Sequence, residues 1–136
     1  MKQLQNKEII KEMYDVILNR KEKDKANKYI DNEYLPKFND VNKTLFESFP
    51  DILFEIEKIY SDNDNIVTFY NWAGTHTSDY RNIAATGKNI KVKGVSVYVL
   101  EDGKVINSKA MPDKLMFFQQ LGLIPEDLLE KMMKSQ

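Results

Sequence analysis

Hydrophobic positions in the first part of the chain follow the period of an α-helix. Between residues 5 and 20, apolar side chains recur at spacings of three, four and one, and charged side chains fill the opposite side. The apolar set is Ile9, Ile10, Met13, Tyr14, Ile17 and Leu18. The pattern predicts an amphipathic helix, with Asn6 as its N-cap.

Two further helices are predicted before residue 50. Inward-facing apolar residues indicate a short helix over residues 23–31, and a longer stripe indicates another over residues 40–49. Asp40 is placed to cap the longer helix and Pro50 to end it. Between the two helices, a proline within residues 34–38 limits that piece to an edge or irregular strand.

After residue 50 the hydrophobic period changes from 3.6 to 2, which predicts strands. The four strand-like segments are 52–61, 65–77, 89–101 and 104–111. Asp102-Gly103 is a strong hairpin signal between the last two. Helices over 113–121 and 126–133 follow, each beside a proline. Helices, an antiparallel meander and a helical tail together indicate an α+β fold with helices covering one face of a curved sheet.

The two central strands have no clearly polar face. In the strand beginning near Ile66, both alternating sets of side chains are largely apolar, and the strand from Ile90 repeats this with Val95, Val97 and Val99. An antiparallel sheet with one face in water alternates more cleanly. Helices can bury only one face, so we expect a second copy to cover the other, in an isologous homodimer through the sheet.

Composition narrows the chemistry. The 136 residues are enough for one domain, 1–136, and they include no cysteine and one histidine. Thiol chemistry, thiolate zinc sites and a multi-histidine metal centre are thereby excluded. A net charge of −1 makes nucleic acid an unfavourable partner. With no apolar run of membrane-spanning length and no signal-peptide pattern, we expect a soluble, cytoplasmic protein without a membrane partner.

Several short motifs occur in an order that resembles a known family. They are Phe49-Pro-Asp-Ile-Leu-Phe-Glu-Ile-Glu, Trp72-Ala-Gly-Thr-His-Thr77, Ala85-Thr-Gly-Lys88, Val92-Lys-Gly-Val-Ser-Val-Tyr98, Glu101-Asp-Gly-Lys104, Pro112-Asp113 and Gln120-Leu-Gly-Leu123. Together they resemble a SnoaL-like polyketide cyclase domain, of the nuclear transport factor 2-like superfamily. The resemblance implies a cone-shaped α+β fold whose bent sheet wraps around the N-terminal helices and encloses a pocket. It covers about residues 6–124 and leaves 125–136 as a helical tail.

The resemblance also implies an activity. Family cyclases close a ring by an aldol step, or abstract a proton next to a carbonyl, with neither a metal nor a cofactor. The aspartate that acts as acid and base in them corresponds to Asp113, and the substrate is a small apolar carbonyl compound. The alternative for Asp113 is an N-cap of the helix beginning at Lys114, and the two roles are compatible.

Four further residues are candidates for the pocket wall. His76 falls where the family often has histidine; alternatively it ends a strand and hydrogen-bonds the adjoining loop. Tyr14, Trp72 and Tyr98 could present an apolar wall with a polar tip to a ligand, or could simply be core. Residues 107–110 lack the His, Trp and Glu that family members often carry there. A second hypothesis is therefore a non-catalytic ligand-binding or dimerisation module.

Overall fold

The N-terminal third of the protein, in a computed structural model that describes residues 2–134, is helical but not in one uniform helix. Helix α1 (Lys2–Met13) continues into a π-helical segment (Tyr14–Asn19). A 3₁₀ helix (Lys23–Lys28) follows, within the short helix predicted over residues 23–31. Asn6 lies buried inside α1, so its prediction as an N-cap is wrong.

Helix α2 spans Leu35–Ser48 and corrects three predictions. The strand expected near residues 34–38 does not form, because Pro36 occupies the first turn of α2, where a missing N–H removes no helical hydrogen bond. Asp40 consequently lies within the helix instead of capping it. Val41 is 64% exposed, so this apolar residue does not belong to the packed stripe predicted for residues 40–49.

The sheet has the predicted meander topology. Its strands, in the spatial order β1-β2-β3-β4, are all antiparallel to their neighbours. They are β1 (Leu53–Asp62), β2 (Asn65–Thr75), β3 (Asn89–Glu101) and β4 (Lys104–Pro112). A β-bulge interrupts β1 between Ile56 and Lys58. Helices α3 (Lys114–Gln120) and α4 (Glu126–Lys134) complete the chain.

The curved sheet buries one face, called here the inner face. It carries alternate residues of the two central strands, which are almost entirely inaccessible: Ile66, Thr68, Tyr70, Trp72, Ile90, Val92, Ser96, Tyr98 and Leu100. Their neighbours on the opposite, outer face are half-buried or exposed. The core therefore lies between the inner face and the helices, which confirms the predicted α+β cone.

Segments near the N-terminus hold both edges of this sheet. The side-chain amide of Asn19 donates to the carbonyl of Phe54 in β1 at 2.9 Å and accepts from its backbone N–H at 2.6 Å. At the other edge, Val105 N in β4 donates to Tyr29 O at 2.8 Å, and Asp31 N donates to Val105 O at 2.9 Å. Within residues 2–134, no helix is both long enough and apolar enough to span a membrane.

Candidate functional site

Two of the predicted pocket residues meet in the interior. The Tyr98 hydroxyl donates to the Tyr14 hydroxyl at 2.9 Å, and the Tyr14 hydroxyl lies 2.8 Å from Thr68 Oγ1. Tyr14 begins the π-helical segment, whereas Thr68 and Tyr98 come from the inner face of β2 and β3. All three are buried. The contact therefore ties the first helix to the two central strands through hydroxyl groups.

Ser96 and Tyr70 extend this arrangement into a cluster of five hydroxyls. The Ser96 hydroxyl lowers the pKa of Tyr14, Tyr70 and Tyr98, but burial has the larger effect on each phenol. Burial raises the pKa of Tyr70 to about 12, and burial raises the pKa of Tyr98 and Tyr14 as well. The three phenols of this hydroxyl cluster therefore keep their protons at neutral pH.

A cavity of about 460 Å³, largely open to solvent, lies between the N-terminal helical segments and β1, and Tyr14 lies in its wall. We call it the first cavity. Its lining comprises Lys11, Tyr14, Asp15, Asn19, Phe54, Ile56, Glu57, Lys58 and Ile59. The volume falls in the range of about 300–1,000 Å³ that is usual for small-molecule sites. The wall combines apolar side chains, one phenol and charged residues of both signs.

Irregular backbone on both sides accompanies the first cavity. The π-helical segment supplies Tyr14, Asp15 and Asn19, and the β-bulge at Glu57 interrupts the opposite strand. Both irregularities are frequent beside functional sites, since each redirects side chains out of the regular pattern. The Asn19 side chain, bonded to Phe54, fixes the separation of the two walls.

Trp72 and His76 lie elsewhere, in a packed aromatic group. The Phe49 ring is 5.0 Å from Trp72 and 5.2 Å from His76, centroid to centroid, and Phe117 packs against both Phe49 and Trp72. His76 Nδ1 accepts from the backbone N–H of Thr86 at 3.2 Å. These are the contacts of a strand-end residue bonded to its adjoining loop. Neither side chain lines the first cavity.

Asp113 is the N-cap of α3. Its Oδ1 accepts from the backbone N–H of Met116 at 3.0 Å, and the residue is exposed. It borders a separate depression of about 280 Å³ that contains outer-face residues. This depression is lined by Glu57, Phe69, Tyr70, Lys93, Gly94, Val95, Met111, Pro112 and Asp113. The acid–base role of Asp113 stays a prediction.

The carboxylates that line the first cavity are those of Asp15 and Glu57. Asp15 pairs with Arg20 at 3.2 Å. Glu57 accepts from the Asn71 side chain at 2.8 Å and lies 3.6 Å from Lys93 Nζ. Among the described residues, no three His, Asp or Glu side chains are grouped to hold a metal ion.

Sequence reasoning missed three members of the hydroxyl cluster. Thr68 and Tyr70 alternate with Trp72 along β2, and Ser96 alternates with Tyr98 along β3, so strand alternation alone would have placed them on one face. Glu57 had no comparable signal, because the bulge that turns it is not visible in the pattern of residue types.

The helices packed in a curved antiparallel sheet define a small α+β domain of the nuclear transport factor 2-like class. Within that class, the sequence model of the SnoaL-like polyketide cyclase family matches residues 8–121. The chain therefore belongs to the SnoaL-like polyketide cyclase family. Among curated proteins, none matches the chain significantly.

Solved structures with this fold carry more than one kind of name. A SnoaL-like polyketide cyclase from Agrobacterium tumefaciens has 22% identity and a TM-score of 0.75, over 86% of this chain and 98% of that one. A protein of Acidithiobacillus ferrooxidans provisionally named a polyketide cyclase has 25% identity and a TM-score of 0.76, over 87% and 94%. AclR from Streptomyces galilaeus, provisionally named a hydroxylase, has 18% identity and a TM-score of 0.76, over 90% and 99%. A shared fold thus does not determine the reaction.

Proposed function

We propose that this protein binds a small, largely apolar molecule in the first cavity and that Tyr14 hydrogen-bonds a carbonyl or hydroxyl oxygen of that molecule. Two observations support this most directly: Tyr14 lies in the wall of the first cavity, and its hydroxyl is bonded to those of Tyr98 and Thr68. Phe54, Ile56 and Ile59 supply apolar surface for the body of the ligand.

The hydrogen bonds of Tyr14 suit it to this role. A phenolic hydroxyl has one proton to donate and can also accept. Tyr14 accepts from Tyr98, so its own proton is available to Thr68 or to a ligand oxygen. Burial raises the pKa of Tyr14, which keeps that proton in place at neutral pH. A donor held in this way selects ligands that carry an acceptor at the matching position.

A matched pair of probes tests the proposal. 2-Acetylnaphthalene and 2-ethylnaphthalene have similar shape but differ in the carbonyl oxygen. We expect the wild type to bind the ketone more tightly, and Tyr14→Phe to weaken ketone binding about tenfold, the equivalent of one hydrogen bond. Titration calorimetry with both probes measures the difference, and Tyr60→Phe on the outer face is the control. Equal loss of affinity for both probes, or none for the ketone, would contradict the proposal.

Catalysis is the second candidate, and family membership supports it. In this proposal the protein is a cofactor-free cyclase or isomerase. Asp113 removes the proton next to a substrate carbonyl. The hydroxyl cluster stabilises the negative charge that develops on the carbonyl oxygen. Because Asp113 borders the outer depression, the substrate would have to reach that side of the sheet. The binding role needs no such path and is therefore the better supported of the two.

A further inference from the structure

Three of the four charged side chains that the structure describes in the wall of the first cavity have an oppositely charged partner within the protein. The pairs are Lys11 with Glu8 at 3.3 Å, Asp15 with Arg20 at 3.2 Å, and Glu57 with Lys93 at 3.6 Å. The fourth is Lys58. Its ammonium group has neither an ion pair nor a hydrogen bond within residues 2–134. Counted with these partners, the wall therefore carries one uncompensated positive charge.

The β-bulge in β1 explains why this lysine has no partner. Neighbouring residues of a regular strand point to opposite faces, but the register shifts between Ile56 and Lys58, and Glu57 and Lys58 are both exposed. The Glu57 carboxylate accepts from the Asn71 side chain at 2.8 Å and is also paired with Lys93. The carboxylate next to Lys58 in sequence is thus already occupied, and the lysine remains free at the cavity wall.

Lys58 and Tyr14 belong to different walls of the first cavity. Tyr14 comes from the π-helical segment, whereas Lys58 comes from β1. The same cavity is lined by the apolar side chains of Phe54, Ile56 and Ile59. A molecule that contacts both walls therefore meets a phenol on the helical side, an ammonium group on the strand side, and apolar surface for the rest of its body.

Given the binding role proposed above, on which this inference rests, we propose that the ligand of the first cavity carries a carboxylate and that Lys58 binds it. The carbonyl or hydroxyl oxygen of the same ligand lies at Tyr14. One carboxylate matches the charge of one ammonium group, whereas a phosphate is best held by several donors or by a bidentate arginine. The ligand is therefore an apolar keto or hydroxy acid.

The solvent in the first cavity limits the strength of this contact. Lys58 is exposed, and an ion pair between exposed groups strengthens binding by up to about fivefold. Salt screens such a pair. Lys58 thus serves mainly to select among ligands of similar shape, because a neutral analogue forgoes the attraction and a cationic one is repelled.

Two probes of nearly the same shape isolate the charge of the ligand: 6-acetyl-2-naphthoate and the neutral 6-acetyl-2-naphthamide. In titration calorimetry at neutral pH and low salt, the wild type should bind the carboxylate about fivefold more tightly than the amide. High salt should remove most of this preference. Lys58→Gln should bind both probes equally. Lys37→Gln, which changes an exposed lysine of α2 outside the cavity wall, is the control and should keep the preference.

Charge reversal provides a second test. Lys58→Glu should prefer the amide to the carboxylate, and far-ultraviolet circular dichroism verifies that the variant is folded. Tyr14→Phe should weaken both probes alike, because both carry the acetyl oxygen.

The outcomes separate the two proposals. Equal affinity of the wild type for the two probes would overturn the carboxylate assignment and leave the binding role intact, whereas failure to bind either probe would overturn both. A preference for the carboxylate that persists in Lys58→Gln and disappears in Lys11→Gln would overturn the assignment to Lys58.

Discussion

At the scale of single residues, Asp113 carries the strongest expectation about catalysis and has the clearest structural role. Its carboxylate accepts from the backbone N–H of Met116 and so satisfies one free donor at the start of α3. A cap needs only an acceptor oxygen, whereas a general base needs a group that can take up a proton. The two roles therefore respond differently to the same substitution.

Replacing Asp113 with Asn separates these roles. The amide oxygen of Asn can still cap α3, so we expect a free energy of unfolding within about 0.5 kcal/mol of the wild type, whereas Asp113→Ala should lose about 1 kcal/mol. Urea unfolding measures both variants. If Asp113 also acts as acid and base, Asn and Ala should abolish turnover of a carbonyl substrate equally. Normal turnover by Asp113→Asn would exclude that role.

At the scale of elements, the sequence predicted the sheet well and the helices less well. The change of the hydrophobic period from 3.6 to 2 after residue 50, with turn residues between the strands, was enough to predict the meander. A strand was predicted where α2 begins because a proline such as Pro36 is compatible with two structures. It is tolerated in an edge strand, and it is favoured in the first turn of a helix. The π-helical segment and the β-bulge could not be predicted, because backbone irregularity depends on packing between elements. The first cavity depends on both.

The close packing of β2 against β3 can be tested at Gly94. A Cβ added there would lie 2.5 Å from the Tyr70 hydroxyl and 3.0 Å from Pro112 Cα, so Gly94→Ala should destabilise the fold by about 2 kcal/mol or more. Gly74→Ala, whose nearest contact would be 3.1 Å, is the matched control and should cost less. Urea unfolding measures both losses.

The cause of that loss can be tested separately. In a Tyr70→Leu background the added methyl group meets less crowding, so Gly94→Ala should cost less than it does alone. An equal cost in both backgrounds would show that the Tyr70 side chain is not the obstacle.

At the scale of the whole molecule, the two faces of the sheet differ in their exposure to water. The inner face brings Tyr70 and Tyr98 together with Tyr14 of the π-helical segment, away from water, and the outer face leaves apolar side chains such as Phe69 and Met111 exposed. The hydroxyl cluster also couples global stability to pH, because its phenols are neutral in the folded protein at pH values where an unfolded chain ionises.

Stability should therefore fall in alkali. Tyrosines of the unfolded chain lose their protons near pH 10, whereas burial raises the pKa of Tyr70 to about 12 and that of Tyr98 well above its usual value. Between these pH values the folded state binds more protons, so the free energy of unfolding decreases by up to about 1.4 kcal/mol per pH unit for each buried phenol. Below pH 10 the phenols contribute no slope. Urea unfolding at several pH values should give a shallower decline for Tyr98→Phe, and identical slopes would contradict the coupling.

The attachment of both sheet edges has a consequence for aggregation. An open sheet presents unpaired backbone groups at its two outer strands, and these can recruit strands from other molecules. Here Asn19 occupies the edge of β1 at Phe54, and the backbone of Tyr29 and Asp31 occupies the edge of β4 at Val105. The chain between Asn19 and Asp31 thus reaches from one edge to the other. A strand added at Phe54 or Val105 would first have to displace these contacts, so the segment opposes growth of the sheet at both edges.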